Sequence, residues 1–522
     1  MKNKKNINTR TKHKTRTKTK KIKIRKNKKK VNSIYDGGAA FVKGGFGCVF
    51  KPALNCKDSE LNTPPNYVSK LIGAKHGKRE YMYISNIKKR LEHLPANVKK
   101  YFLLDNVTMC EPKPLTEQDK VKIEEVCDYI LTDNKDKTTQ EPINSQNINN
   151  NLDKFKIINM PELSMSLSHY IKKRELTPID LVNLNNNIIE YLTVVIPALY
   201  KNGVVHGDIK PDNLMFNVSD NNTLVVIDWG LSYVLDSERK NVLEALYTLG
   251  VQWHHPFSSF LFKKHVTEKY DILLQKLKKE GVKVTRDSLR EFAMSEYKIF
   301  MTNHDKQFLF LNDTFMNVYG EQLAKKLKHA GRSDIDNYMY NVIINYIVEY
   351  IIDVLVTYTV NYKLEMGKYF YEVYLMNADT WGIMSTYSEL IESIPLMTKM
   401  TSVERKTVID MLIKILTHNL YKNGGKLINI PKLIYDIEQL NKYLMSISIK
   451  TSRKESVGKV RSSAVSAMDL KGSMIDKKLM ENKIMYDKLY KYSNKSRGRP
   501  PNVQVAVVTG GYKTRRNRKN MK

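Results

Sequence analysis

The sequence predicts an α+β chain in two lobes, a small β-rich N-terminal one and a large helical C-terminal one, with basic ends outside both. Three observations carry this. Glycines crowd a turn between β-type runs in "GGAAFVKGGFGCVFKPAL" at 37–54. From about residue 166 the apolar residues recur at helical spacing. The continuous apolar run "TLVVIDWG" reads as a strand ending at Asp228.

Residues 1–33 cannot form a core. Within them, residues 1–30 hold 16 Lys and Arg and no acid, and residues 497–522 hold 8 and no acid. Of the formal +33, only +9 belongs to the 466 residues between. The basic character is therefore a property of the ends. Such blocks touch polyanions, so non-specific nucleic-acid contact is an expectation for them. No groove-reading motif accompanies them.

The first lobe is expected over 34–163. "YVSKLIG" reads as a strand. "KREYMYISNIKKRLEHL" sets Tyr81, Ile84, Ile87 and Leu91 at helical spacing. A polar insertion is expected near 115–153, because "DNKDKTTQEPINSQNINNN" at 133–151 reads as low-complexity surface. "FKIINMPEL" is a further strand.

The second lobe is expected over 164–450. "NNNIIEYLTVVIPALYKNG" places Ile188, Leu192, Val195, Ile196 and Leu199 on one helix face, and Gly203 stops it. A mostly helical insertion is expected near 258–370. Its most apolar stretch, 342–360, contains Glu349 and Asp353, which favours a buried helix over a membrane span. Residues 451–522 read as a basic tail with one helix near 474–492.

Cys48, Cys56, Cys110 and Cys127 match no zinc spacing and no disulfide framework. Reduced thiols are expected, hence an intracellular setting, cytoplasmic or nuclear. The N-terminus has basic residues but no apolar stretch of a secretory signal.

"VVHGDIKPDNLMFN" at 204–217 carries the chemistry. With "DWG" at 228–230 it resembles the catalytic loop and magnesium-binding turn of the eukaryotic-type protein kinase family, Ser/Thr type. The resemblance spans roughly 34–440 and implies that family's two-lobed fold, ATP and Mg2+ as cofactors, and protein Ser or Thr as acceptor. It implies that Asp208 orients the acceptor hydroxyl and takes its proton. Lys210 would neutralise the γ-phosphate, and Asn213 and Asp228 would hold metal. His206 would pack on the 228–230 turn, and Asp379 in "NADTWGIMSTYSELI" would bond the loop backbone. Upstream, Val42, Lys43, Gly44, Gly45, Phe46, Gly47, Cys48 and Val49 resemble the glycine-rich loop over the nucleotide. Val42 stands where the family's first loop glycine would be. Lys70 would grip the α- and β-phosphates and pair with Glu80, with Glu92 as fallback. Asn159, Met160, Pro161 and Glu162 fall near the hinge that meets adenine.

Other positions depart from the family. Gly207 stands where an Arg usually pairs with a phosphate on the activation segment, which implies activity without that phosphate. Trp229 replaces the usual Phe. "VQWHHPFSSFLF" at 251–262 keeps only Pro256 of the family's A-P-E segment. The combination resembles kinases of large cytoplasmic DNA viruses, which would add the virion as a location. Two other readings stay open at this point: a weakly catalytic scaffold, and a kinase-fold phosphotransferase acting on a non-protein hydroxyl.

Overall fold

The computed structural model describes residues 39–43, 47–59, 63–173, 175–217, 223–235, 252–298 and 332–456. Strands β1 (Ala39–Lys43), β2 (Gly47–Lys51), β3 (Tyr67–Gly73), β4 (Thr108–Cys110) and β5 (Phe155–Pro161) form one antiparallel sheet in the order β1-β2-β3-β5-β4. Register divides the sheet's two faces. Cys48 lies opposite Leu71 and Val49 opposite Lys70, and successive side chains point to opposite faces. Cys48, Phe50, Leu71, Phe155 and Ile157 therefore share one face and one hydrophobic cluster. Lys70 belongs to the other face.

Helix α1 (Ala74–Leu91) starts directly after β3, with no intervening loop. It buries Glu80, Tyr83, Ile84, Ile87 and Leu91. These positions follow the 3.6-residue period, and they place Tyr83 in the core where the sequence had pointed to Tyr81.

One expectation fails in this region. The four cysteines are not reduced thiols: Cys48 bonds Cys127 and Cys56 bonds Cys110. The partners are 79 and 54 residues apart, so spacing along the chain could not reveal them. The polar stretch at 133–151 is mostly exposed, as a surface insertion would be, but it is pinned at a few buried positions. Ile143 and Ile148 are buried in the same cluster as Leu115, Ile123, Ile130 and Leu131. Buried Asp136 accepts from the Thr138 and Thr139 N–H groups at 2.8 and 2.9 Å and from the Asn151 amide at 2.5 Å. Its Asn and Asp residues hold turns, which composition alone reads as solvated loop.

The rest is mainly helical and shares one large core. Thr177 caps the helix Pro178–Glu190 with a reciprocal Asp180 contact. A π segment, Tyr191–Val195, and the helix Ile196–Lys201 continue it. Gly203, at φ +66°, then turns the chain away. The helix Arg332–Tyr358 contains the apolar stretch, with Ile351, Ile352, Val354 and Leu355 fully buried. Glu349 and Asp353 pair with Arg286, and Glu349 also with Arg290. Among the described residues no helix is long and apolar enough to cross a membrane. The helix Ile430–Ser456 runs past the expected boundary at 450. Both basic ends, the helix expected near 474–492 and residues 299–331 of the helical insertion lie outside the described residues.

Candidate active site

Two short hairpin-like pairings build the site. Strand β6 (Val204–Val205) pairs with β9 (Tyr233–Val234), and β7 (Leu214–Asn217) pairs with β8 (Thr223–Val226). The Leu214–Val226 register puts Asn213 beside Ile227, whose N–H donates to the Asn213 carbonyl at 3.0 Å. Residues 206–213 and 228 are thus brought together by adjacent strands.

Buried groups fix the loop from below. Asp379 accepts the backbone N–H of His206 at 2.9 Å and of Gly207 at 2.8 Å. Burial raises its carboxyl to about 7 despite those donors. Gly382, on the same helix, shows how close the approach is: a Cβ there would lie 2.3 Å from the Ile209 carbonyl oxygen. His206 is wholly buried. Its Nε2–H donates to the Ile227 carbonyl at 3.1 Å, and Nδ1 accepts from the Asp208 N–H at 3.3 Å. Burial lowers its pKa to about 4, so the ring is a neutral brace. It packs edge-on against Trp229 with centroids 4.7 Å apart.

Asp208 sits at the centre. Both its oxygens receive the Lys210 ammonium at 3.0 Å. The Asn213 amide donates to Oδ2 at 2.8 Å and to the Asp208 carbonyl at 2.9 Å. The His254 Nε2–H donates to Oδ1 at 2.7 Å. Burial alone would raise this carboxyl, but His254 and then Lys210 outweigh it and hold it well below the usual carboxylate range. Asp208 is therefore a charged carboxylate at neutral pH.

The second cluster joins the sheet to the turn. Lys70 contacts Glu80 at 2.7 Å and Asp228 at 3.4 Å. Ten residues suffice for the Lys70–Glu80 pair because β3 runs straight into α1. Glu92, the fallback partner, stands at the C-terminal cap of that helix instead. Burial opposes the Lys70 charge, yet Asp228 and Glu80 together raise its pKa. Asp228 adopts φ +62°, a left-handed conformation uncommon outside glycine, and its side chain is 42% exposed. The turn thus presents a carboxylate outward from the end of a buried strand.

Other predicted residues are more dispersed. Gly44, Gly45 and Phe46 lie outside the described residues. Val42 and Lys43 stand in β1, opposite Val49 and Cys48. Val49 shares a face with Lys70. Cys48, bonded to Cys127 on the other face, can offer a nucleotide only its backbone. Met160 pairs with Val68 in the sheet. The Glu162 side chain meets Lys51, and its N–H donates to Asn66. The Asn159 side chain is buried against Ser69 and so is not available to a ligand.

His254 and His255 were missed by sequence reasoning. They were visible only as a pair before Pro256, in a segment recognised chiefly for what it lacked. His255 donates from Nε2 to the Gly207 carbonyl at 2.9 Å. Burial lowers both imidazoles, His255 to about 3, so both are neutral. Gly207 itself has φ +73°, and a Cβ there would lie 2.7 Å from the Tyr233 ring. Tyr233 thus fills the space into which a side chain at 207 would project.

Two comparisons with known proteins bear on this region. The Phosphotransferase enzyme family profile matches residues 167–236, the stretch with Asp208, Lys210, Asn213 and Asp228. Over 46 residues the chain is 46% identical to "Calcium/calmodulin-dependent protein kinase cmkB" of Emericella nidulans. That match covers 9% of this chain and 11% of that protein. The matches support a protein-kinase-like family, and the mixed sheet and helices are compatible with its fold. At this level the matches support a kinase-fold phosphotransferase.

Proposed function

We propose that the chain is an ATP- and magnesium-dependent protein kinase acting on Ser and Thr hydroxyls. In this reading the sheet with α1 is the N-lobe, the helical remainder is the C-lobe, and the nucleotide binds between them. The observation that supports it most is the pairing of two clusters: a buried, charged Asp208 ringed by donors, and Lys70 bridging Glu80 to the outward carboxylate of Asp228.

The donor set fits the implied ligand. Asp228 and Asn213 offer hard oxygen atoms of the kind magnesium takes. With the Asn213 amide nitrogen committed to Asp208, its Oδ1 is the atom left for a metal. Bound Mg-ATP would supply the phosphoryl group and the charge neutralisation that transfer requires. Lys70, kept cationic by two carboxylates, would hold phosphate oxygens. Asp208 would orient the acceptor hydroxyl and take its proton. Lys210, already beside that carboxylate, would offer its ammonium to the phosphoryl donor. His206, Asp379 and Trp229 keep the loop and the turn in register.

The test is transfer of labelled γ-phosphate to generic basic proteins and, in parallel, to small hydroxylated molecules. Ser and Thr labelling that disappears in Asp208→Asn supports the reading. Labelling of the small molecules alone would replace it with the second reading, a non-protein acceptor, which the phosphotransferase profile over 167–236 favours. We further propose that the basic ends bind polyanions without sequence preference. Deleting residues 1–30, with their 16 cations, should then weaken DNA binding and flatten its salt dependence, while phosphate transfer persists. Unchanged binding would assign it elsewhere.

A further inference from the structure

The two histidines before Pro256 belong to no role assigned so far. They rise from a short buried stretch in which Phe257, Ser258, Phe260, Leu261 and Phe262 are all packed into the large core. That anchoring fixes where their rings point. The His254 ring is 1% exposed and meets the Asp208 carboxylate at 2.7 Å. The His255 ring meets the next carbonyl back, that of Gly207. One segment therefore clasps both the base and the peptide before it. Asp208, His254 and His255 also place three ligand atoms within 4.8 Å of one another. Each Nε2, however, faces an oxygen acceptor at hydrogen-bond distance and must carry a proton to do so. The arrangement is that of a clasp and not of a metal cage.

We propose that His254 is the positioning residue for the catalytic base, holding Asp208 through its Nε2–H while the other partners of that carboxylate serve the phosphoryl donor. The argument rests on the function proposed above and on counting donors. Oδ1 receives Lys210 and His254; Oδ2 receives Lys210 and Asn213. In the proposed mechanism Lys210 takes the transferring phosphate and Asn213 the metal. Both are shared between tasks. Among the described residues His254 has no second task, since its ring is buried and its Nδ1 meets no hydrogen-bond partner there. Its N–H therefore stays on Oδ1 as the Asn213 amide stays on Oδ2, and the place that Lys210 gives up for the phosphate is the one open to the acceptor hydroxyl. Gly207 and Tyr233 complete the device, because Tyr233 occupies the side-chain space at 207 and His255 holds its carbonyl. Among the described residues, the histidine segment thus joins Asp379 and His206 in setting the loop position.

Two measurements test this. In the first, His254→Leu and His254→Gln are compared with wild type for kcat, KM for ATP and Mg-ATP affinity. The Gln amide can restore a donor near Nε2; Leu cannot. The expected result is a kcat loss of about 10- to 100-fold in Leu, with KM and affinity for ATP within about twofold, and substantial recovery in Gln. Wild-type kcat in Leu, or equal losses in Leu and Gln, would overturn the proposal. If His254→Leu does not fold, His254→Asn, polar but too short to reach Oδ1, takes its place with the same two outcomes. The second measurement needs no turnover: a thermal-unfolding double-mutant cycle with Asp208→Ala and His254→Leu. Non-additive shifts in Tm support the contact, and simple addition counts against it. Wild-type protein that phosphorylates no acceptor would sink the function itself and this proposal with it. Active wild type with indifferent His254 variants would sink this proposal alone.

Discussion

The loop at 206–213 and the sheet at 39–161 reach their final arrangements by opposite routes. In the loop, most contacts join residues within about 22 positions: His206 to Ile227, Asp208 to Lys210 and Asn213, Asn213 to Ile227. In the sheet, the fixed points join residues 54 to 158 positions apart: Cys56 to Cys110, Cys48 to Cys127, Lys70 to Asp228. Local contacts are written as spacing. Distant ones depend on how strands meet. The comparison teaches that contacts within a short string can be read as spacing, while the disulfides and the reach of Lys70 to Asp228 cannot.

The sharpest way to separate the two regions is Asp208→Asn. An amide cannot take the hydroxyl proton, so transfer should fall by about 10²- to 10⁴-fold. Mg-ATP affinity, which depends on Lys70 and Asp228, should remain. A binding isotherm beside a turnover assay checks both, and near-normal turnover would remove Asp208 from the base role.

Next in size is reduction of the two disulfides. Closing loops of 79 and 54 residues is worth about 4 kcal/mol each in the chain-entropy picture. Reductant should therefore destabilise the sheet and leave the helical core, which holds no cysteine, nearly unchanged. Hydrogen exchange resolved by region reads this directly. Equal loosening of both regions, or of neither, would break the contrast.

Gly207→Ala should cost about 1–3 kcal/mol, because the added Cβ meets Tyr233 at a left-handed backbone position. Unfolding midpoints in urea check it. A neutral effect would mean Tyr233 moves aside easily.

The gentlest probe is pH. His206 and His255 are neutral in the folded chain, lowered by burial to about 4 and about 3, against an ordinary 6.5. His254 is lowered in the same direction. The unfolded chain binds protons first, so stability is full above about 6.5 and falls as pH drops toward 4 and below. Each imbalance adds a slope of about 1.4 kcal/mol per pH unit. Unfolding curves from pH 7.5 to 4.5 should show it, and His206→Gln should flatten it. An unchanged slope in that variant would assign the acid sensitivity to other groups.

Taken residue by residue, the sequence showed where the loop, the helix before it and the strand to Asp228 would lie. It did so because periodicity and offsets survive folding unchanged. It also placed Lys70 and Glu80 on adjacent elements, and the direct passage from β3 to α1 brings them together. The stretch at 133–151 is mostly exposed as expected, but its buried anchors were missed for a physical reason: Asn and Asp that hold buried turns have the same composition as Asn and Asp in solvent.

The sequence by itself determined the chemical inventory: a carboxylate, an ammonium and an amide at fixed short offsets, with an acid at the end of an apolar strand. Only the tertiary structure decided that all four cysteines pair, that Tyr233 fills the space beside Gly207, and that His254 stands on Asp208. Those three depend on which distant surfaces pack together. Packing selects partners by shape and burial in space, and separation along the chain carries no record of it.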